Sequence, residues 1–577
     1  MKLYKMKSKT RGCILSLLAM VIVVTGCTTP SELPVTEGTD GVKELGVNSS
    51  YIPKLVDNRS IYANDKADSI VHFYITVTDD NLTAEKPMTW ENMNKVRLSP
   101  PTGDADKMNV IIQEGDEKGP SKGMFGHSAV YPNATVALRG KSTLKARQKS
   151  YKLDLTDNAG KWREQKTINL IKHAFDFSRI RNKLSFDYFK QLSDFTSLRT
   201  QFVNLHVKDL TSGAASDKFV DYGLYTQIEQ PNKSFLRAHG LDPNAQLYKP
   251  ANFEFRRYAN ALKLSSDSSY DKEAFESVLE IKGSNDHTKL LNMLDDLNNM
   301  ELDPNKVVEK YFDRDNFLTW MGVNIIMDNM DTITQNFLLY SPTNSEKWFF
   351  LPWDYDGAWG FQEQYSEAVG ERPEWQKGIT NFWGSVLQRR FFRDSKNIED
   401  LTEKVRSLST IINPEQSRKL IESYLPIVNS YIRREPDIRD LPGPIAKYPE
   451  EIERIIQQSV ENEKIYLSSI QKPMPIFLGV PVKSGSDYEF TWDMSYDLQS
   501  DELTYTFELA KEPTFAKPLV RRLGLVTTET KISNLVKGQY FWRVKISDDK
   551  GNEMIAFDEY QDANGNKFHG IREVYLD

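Results

Sequence analysis

Residues 324–360, NIIMDNMDTITQNFLLYSPTNSEKWFFLPWDYDGAWG, decide how the rest of the chain is read. Two apolar runs, FLLY at 337–340 and WFFLPW at 348–353, flank the polar turn SPTNSEK at 341–347, which is the layout of a β-hairpin. Asp331 and Asn336 precede the first run, and Asp354 and Asp356 follow the second. Antiparallel pairing therefore gathers three carboxylates and an amide at one end of the hairpin. If the second strand continues through residue 356, Asp354 and Asp356 also share a face, because side chains alternate along a strand.

The frame around this hairpin is an ordinary globular composition: 577 residues, 39% hydrophobic and 27% charged, long enough for several domains. A formal net charge of −7 argues against bulk nucleic-acid binding, so any basic patch has to be local. The seven histidines show no metal-ligand spacing, and no Ser/His/Asp grouping points to a hydrolase.

Residues 1–27 read as an export signal: a basic head, an apolar run from Ile14 to Val24, and a small-residue site ending at Cys27. The run falls short of the ~20 residues that span a bilayer. Val24-Thr25-Gly26-Cys27 resembles a bacterial lipobox, in which the cysteine is acylated. Cys13, the other cysteine, lies in the segment that cleavage would remove, which leaves no thiol pair for a disulfide or a Cys-ligated zinc. The expectation is a lipid-anchored protein of the bacterial cell envelope, periplasmic or surface-exposed, with residues 28–65 as a flexible tether.

Alternating segments at 70–77, 108–113, 135–140 and 150–155 make the first half β-rich. From Arg139 to Lys152 there are six basic residues and no acid. Such a run is ordinarily a solvated face. It is also what a phosphate-cradling hairpin needs, with Gly140, Ser142 and backbone amides around the phosphates and Lys152 reaching in from the next strand. A helix is expected over 175–192, then strands at FVNLHVKDL and DYGLYTQIEQ, with Glu229 near the end of the second. From about Tyr270 the spacing turns helical, including FESVLEIKG at 275–283, and helices resume after the acidic hairpin up to Lys472. Residues 473–577 are short alternating strands with the aromatic GQYFWRV segment, and they resemble a fibronectin type III sandwich.

Phosphoryl transfer from ATP needs cations over the triphosphate, a carboxylate at the acceptor hydroxyl, and oxygen ligands for Mg²⁺ or Mn²⁺. Asp331 with Asn336 five residues later, and then Asp354 just after the next strand, is the spacing protein kinases use for those roles. The segments LRGKSTLKARQKSYKLDL (138–155), IRNKLSFDYF (180–189), DYGLYTQIEQPNKSFL (221–236), MDTITQNFLLY (330–340) and WFFLPWDYDGAWG (348–360), in this order, resemble the CotH (spore coat protein H) atypical kinase family.

The resemblance implies an α+β, divergent protein-kinase-like two-lobe fold over residues 66–472, with a β-rich N-lobe and a helical C-lobe. It implies transfer of the ATP γ-phosphate to Ser or Thr of a protein substrate. In that reading Asp331 is the catalytic aspartate, Asn336 and Asp354 are metal ligands with Asp356 sharing the metal, and Lys152 is the phosphate-binding lysine. Arg139, Gly140, Ser142 and Lys149 complete the nucleotide site. No His-Arg precedes Asp331, Asp354 is followed by Tyr-Asp-Gly, and residues 175–192 hold no Glu to pair with Lys152. Glu229 is left either as that missing partner or as a residue near the adenine. An exported site has little ATP at hand, so the competing expectation is a catalytically silent binding, adhesion or glycan-handling scaffold. A third is transfer of the nucleotide instead of the phosphate.

Overall fold

The computed structural model describes residues 54–95, 106–213, 218–365 and 370–576. The export signal, Cys27 and the first part of the expected tether lie outside them.

The alternating segments form strands β1 (Ile70–Val77), β2 (Lys107–Asp116), β3 (Gly119–Pro120), β4 (Ala134–Arg139), β5 (Ser150–Leu155), β6 (Thr167–Ile171), β7 (Thr200–Asp209) and β8 (Val220–Glu229). Their order is β1-β7-β8-β6-β5-β4-β2-β3. β1 also pairs with β2, Ile75 opposite Ile112, so the sheet closes into a barrel with β3 outside the ring. Val71, Phe73, Ile75 and Val77 on β1 share one buried cluster with Val110, Ile112, Val136, Leu153 and Leu205. Each such side chain contributes about 1.5–3 kcal/mol over leaving it exposed. Strand patterning alone does not distinguish this closed barrel from an open lobe.

A second sheet consists of β9 (Gln246–Pro250), β10 (Leu279–Ile281), β11 (Phe337–Ser341) and β12 (Phe349–Pro352), in the order β10-β9-β11-β12. β11 and β12 are the two runs of the acidic hairpin, with Phe337 opposite Pro352. Residues 275–283, expected as helix, are instead the end of a short helix, Lys272–Glu276, followed by β10. Pairing of Glu280 with Lys249 across β9 and β10 overrides the local helical spacing.

The helix Arg314–Ile326 delivers the hairpin. Asp313 caps it by accepting from the Asn316 amide at 2.8 Å, and every residue from Asn316 to Ile326 is buried. Asn316 also holds β12, donating to the Phe350 carbonyl at 3.2 Å and accepting from the Phe350 amide at 2.7 Å. The helix stops as Asp328 turns to φ +50°, which sends Asp331 out on a short 3-10 turn, Met330–Thr332. Tyr448–Ser469 and Ser395–Ser409 pack around it, and Asn462 donates to the Ile326 carbonyl at 2.9 Å.

The tether expected over 28–65 is too long at its C-terminal end. Leu55 is buried in the main core, Arg59 donates to the carbonyls of Lys190 (2.9 Å) and Phe195 (2.8 Å), and the Tyr62 hydroxyl bonds Asp57 at 2.7 Å. The Ser/Thr/Pro/Gly-rich text ends at residue 50, and the residues that follow carry the anchoring side chains.

The C-terminal residues form a three-stranded sheet (Val482–Ser484, Asp487–Thr491, Glu529–Ser533) and a five-stranded sheet that includes Thr504–Ala510 and Gly538–Ser547. Phe490 of the first meets Trp542 of the second edge-on, with ring centroids 5.3 Å apart. Trp375 against Phe557 (5.4 Å) and Trp383 stacked on Tyr496 (5.9 Å) join these sheets to the helical part.

Candidate active site

Where the barrel meets the second sheet there is a cleft of ≈480 Å³. The barrel contributes the β4–β5 hairpin. Gly140 leaves β4 at φ +93°, and a Cβ there would stand 2.1 Å from Thr143 Oγ1, so the turn is built for glycine. Arg139, Gly140, Lys141, Ser142 and Lys152 from this hairpin line the cleft. The second sheet contributes Lys249 and Glu280, and the acidic hairpin contributes Asp331, Asn336, Asp354 and Asp356. Residues far apart in sequence thus meet in one place.

The cations have defined neighbours. The Arg139 guanidinium lies 5.1 Å and the Lys249 ammonium 5.9 Å from the ring of Trp353. Burial lowers the Arg139 pKa, opposed by attraction to Asp354, Asp356 and Glu280. Lys249 and Lys282 both bind Glu280, at 3.2 and 2.7 Å. Lys152 pairs with Asp154 on its own strand at 3.0 Å.

On the acidic side, Asp331 accepts from Gln335 Nε2 at 2.8 Å and from Asn336 Nδ2 at 2.7 Å. Desolvation in the cleft and repulsion from Asp354 raise its pKa, and the Gln335 and Asn336 amides hold it down. β12 ends at Pro352, so Asp354 and Asp356 do not share a face by strand alternation. Asp354 instead sits in the left-handed region at φ +55°, and Tyr355 between the two acids is fully buried, its amide donating to Asn182 Oδ1 at 3.0 Å. A backbone turn pinned by a buried tyrosine thus puts both carboxylates in the cleft. Asn336 and His173 also have positive φ, +60° and +50°, and such conformations gather where surrounding structure enforces them.

Asp356 is pushed well above the usual carboxylate range, by burial first and then by Asp354, Asp176 and Asp331. His173, 4.0 Å from Asp356, is pulled down to about 4 by burial, so its imidazole is neutral. Asp354 and Asp356, with the Asn336 amide in the same cleft, offer oxygen donors of the kind a hard divalent cation takes.

Two expected residues stand elsewhere. Glu229 is buried outside the cleft, bonded to Arg199 at 2.5 Å and to His239 Nε2 at 3.1 Å, with Asp57 on the far side of that histidine at 2.7 Å. Its register on β8 opposite Ile168 turns it away from the phosphate-facing hairpin. Lys149 donates to the carbonyls of Leu144 and Ala146, each at 2.6 Å, and so braces the hairpin loop from beneath. A run of charges in sequence says nothing about which of them point inward.

Sequence reasoning missed Lys249, Glu280, Lys282, Asn182 and His173. Recognising 279–281 as a strand opposite 248–250 would have exposed the Lys249–Glu280 pair. His173 and Asn182 give no spacing signal.

The CotH kinase protein family model matches residues 136–465. Inner spore coat protein H of Bacillus subtilis (strain 168) is 25% identical over 283 residues, covering 48% of this chain and 72% of that protein. The crystal structure of the Helicobacter pylori proinflammatory kinase CtkA aligns over 59% of this chain and 96% of its own at 9% identity and a TM-score of 0.25, which is too slight to carry an argument.

Proposed function

Because the chain belongs to the CotH kinase protein family, whose model spans more than half of its length, we propose that it is a metal-dependent protein kinase transferring the γ-phosphate of ATP to a Ser or Thr hydroxyl. The observation that carries this reading is the meeting of Asp331, Asn336, Asp354 and Asp356 with Arg139, Lys152 and Lys249 in one cleft. Carboxylates alone suit many sites; carboxylates facing a basic, glycine-turned hairpin suit a metal-bound polyphosphate.

A bound Mg²⁺ or Mn²⁺ supplies charge neutralisation and orientation of the phosphates. Asp354, Asp356 and the Asn336 amide oxygen hold it. Arg139, Lys152 and Lys249 bind the phosphate oxygens, with Gly140 and Ser142 allowing close approach of the loop. Asp331, oriented by Gln335 and Asn336, takes the proton of the acceptor hydroxyl. The protein-kinase-like two-lobe arrangement, the fibronectin type III character of the C-terminal sheets and attachment to a bacterial membrane through lipid on Cys27 belong to the same proposal. A three-stranded and a five-stranded sheet over one aromatic core support the second of these.

The test separates binding from transfer. Asp354→Ala is expected to abolish metal-dependent ATP binding measured by titration calorimetry. Asp331→Ala is expected to keep binding and lose transfer. ATP binding that survives Asp354→Ala would sink the site as drawn.

A further inference from the structure

A second cavity of ≈240 Å³ adjoins the cleft, and Ser142, Thr143, Asp331 and Asp356 line both. The two differ in chemistry. The larger is lined by Arg139, Lys141, Lys152, Lys249 and Lys282, whereas among the described residues no lysine or arginine lines the smaller, whose apolar wall is Phe175, Met330 and Phe361. A polyphosphate has no counter-charge there.

His173 lines the smaller cavity, is 4% exposed, and finds no hydrogen-bond partner among the described residues at either ring nitrogen. A neutral imidazole has one N–H donor and one acceptor nitrogen, and leaving both unmet in a buried site is costly. Asp356, at 4.0 Å, is beyond hydrogen-bond range. Phe175 is 37% exposed, although its carbonyl is fastened by Gln364 at 3.3 Å and by the Tyr365 hydroxyl. An aromatic side chain is thus held in place while its ring stays open to solvent.

We infer that the smaller cavity is the acceptor port of the proposed kinase, taking a Ser or Thr that has an apolar neighbour in its peptide. The inference rests on the kinase reading above. The acceptor oxygen reaches Asp331 from the side away from the cations, and the peptide supplies the partner that His173 lacks. Phe175 and Phe361 seat the apolar neighbour. The acceptor O–P bond forms and the bond from the γ-phosphorus to the β–γ bridging oxygen breaks. The hydroxyl proton goes to Asp331, and ADP departs through the larger cleft.

Two peptides of equal charge, each with one Ser followed by Leu or by Gln, test the port on the full chain with MnATP. The Leu peptide is expected to be the better substrate by about tenfold in kcat/KM, the scale of one well-seated apolar side chain. Phe361→Ala is expected to raise KM for the Leu peptide by about tenfold and erase the preference, with KM for ATP moving less than about twofold. Phe361→Leu is expected to restore most of it. Active enzyme with no Leu preference, or with a preference that Phe361→Ala leaves intact, would overturn the port alone. Failure of γ-phosphate to move in any Asp331-dependent way would overturn the kinase reading, and the port with it.

Discussion

Asn336 donates from Nδ2 to Asp331 Oδ2 at 2.7 Å, while Gln335 donates to the other oxygen at 2.8 Å, so two consecutive amides clamp one carboxylate. Both bonds favour the ionised form and oppose the upward push of desolvation and Asp354. Removing one amide by Gln335→Ala therefore raises the Asp331 pKa further. A base works deprotonated, so the acid limb of the kcat/KM profile is expected to move to higher pH, with a larger loss of rate at pH 6 than at pH 8. Phosphate transfer measured across that range checks it.

Asp356 binds its proton more tightly in the folded chain than in the unfolded one, because the cleft partly desolvates it and Asp354, Asp176 and Asp331 repel its charge. Without a cation, stability therefore falls as pH rises above the ordinary carboxylate value. Asp356→Asn is expected to stabilise the metal-free protein at neutral pH but not near pH 3.5. The gain is on the order of 1 kcal/mol, since the side chain is 37% exposed and solvent screens the repulsion. The same variant is expected to lose most of the stabilisation by Mn²⁺. Thermal melts with and without the ion test both halves.

The buried set Asp57–His239–Glu229–Arg199 has a pH signature of its own. The Glu229 pKa is lowered to about 2 despite burial, chiefly by His239 and Arg199, so its contribution is present above ~4.5 and lost as pH falls toward 2. The His239 pKa is raised by Glu229 and Asp57 against desolvation, so its contribution is present below ~6.5 and declines as pH rises through the folded value. Both terms are full between about pH 4.5 and 6.5. Glu229→Gln is expected to cost about 3 kcal/mol in that window and less on either side of it, read from urea melts at several pH values.

Lys249 has a carboxylate partner within the cleft, whereas Lys152 pairs with an acid on its own strand. Lys249→Met is expected to weaken ATP binding about tenfold, the worth of one charge-assisted contact. Glu280→Gln is expected to weaken it less, because the charge itself remains. Titration calorimetry with MnATP distinguishes the two.

The acidic hairpin was the most legible part of the sequence, because two apolar runs and a polar turn between them bring Asp331, Asn336, Asp354 and Asp356 to one end. The basic hairpin was half legible: composition located it, but only packing decided that Lys141 and Lys152 face the cleft while Lys149 serves the loop. Glu229 was misplaced because strand register fixes its direction, and register depends on a partner strand about sixty residues earlier. Barrel closure was invisible for the same reason, since it depends on pairing between β1 and β2 across a long connection. Glu280 was hidden by helical spacing in a segment that tertiary pairing turned into a strand. Positive φ at Asp354 achieved by a backbone turn what strand alternation had been expected to do.

Transfer of label from ATP tests the central claim most directly. With Mn²⁺, the purified chain and a Ser/Thr acceptor protein, label from [γ-³²P]ATP is expected in the acceptor, and none from [α-³²P]ATP, with incorporation lost in Asp331→Ala. Incorporation from the α position would make the cleft a nucleotide-transfer site. No incorporation from either position, together with no thermal shift by MnATP, would contradict an ATP-dependent enzyme altogether.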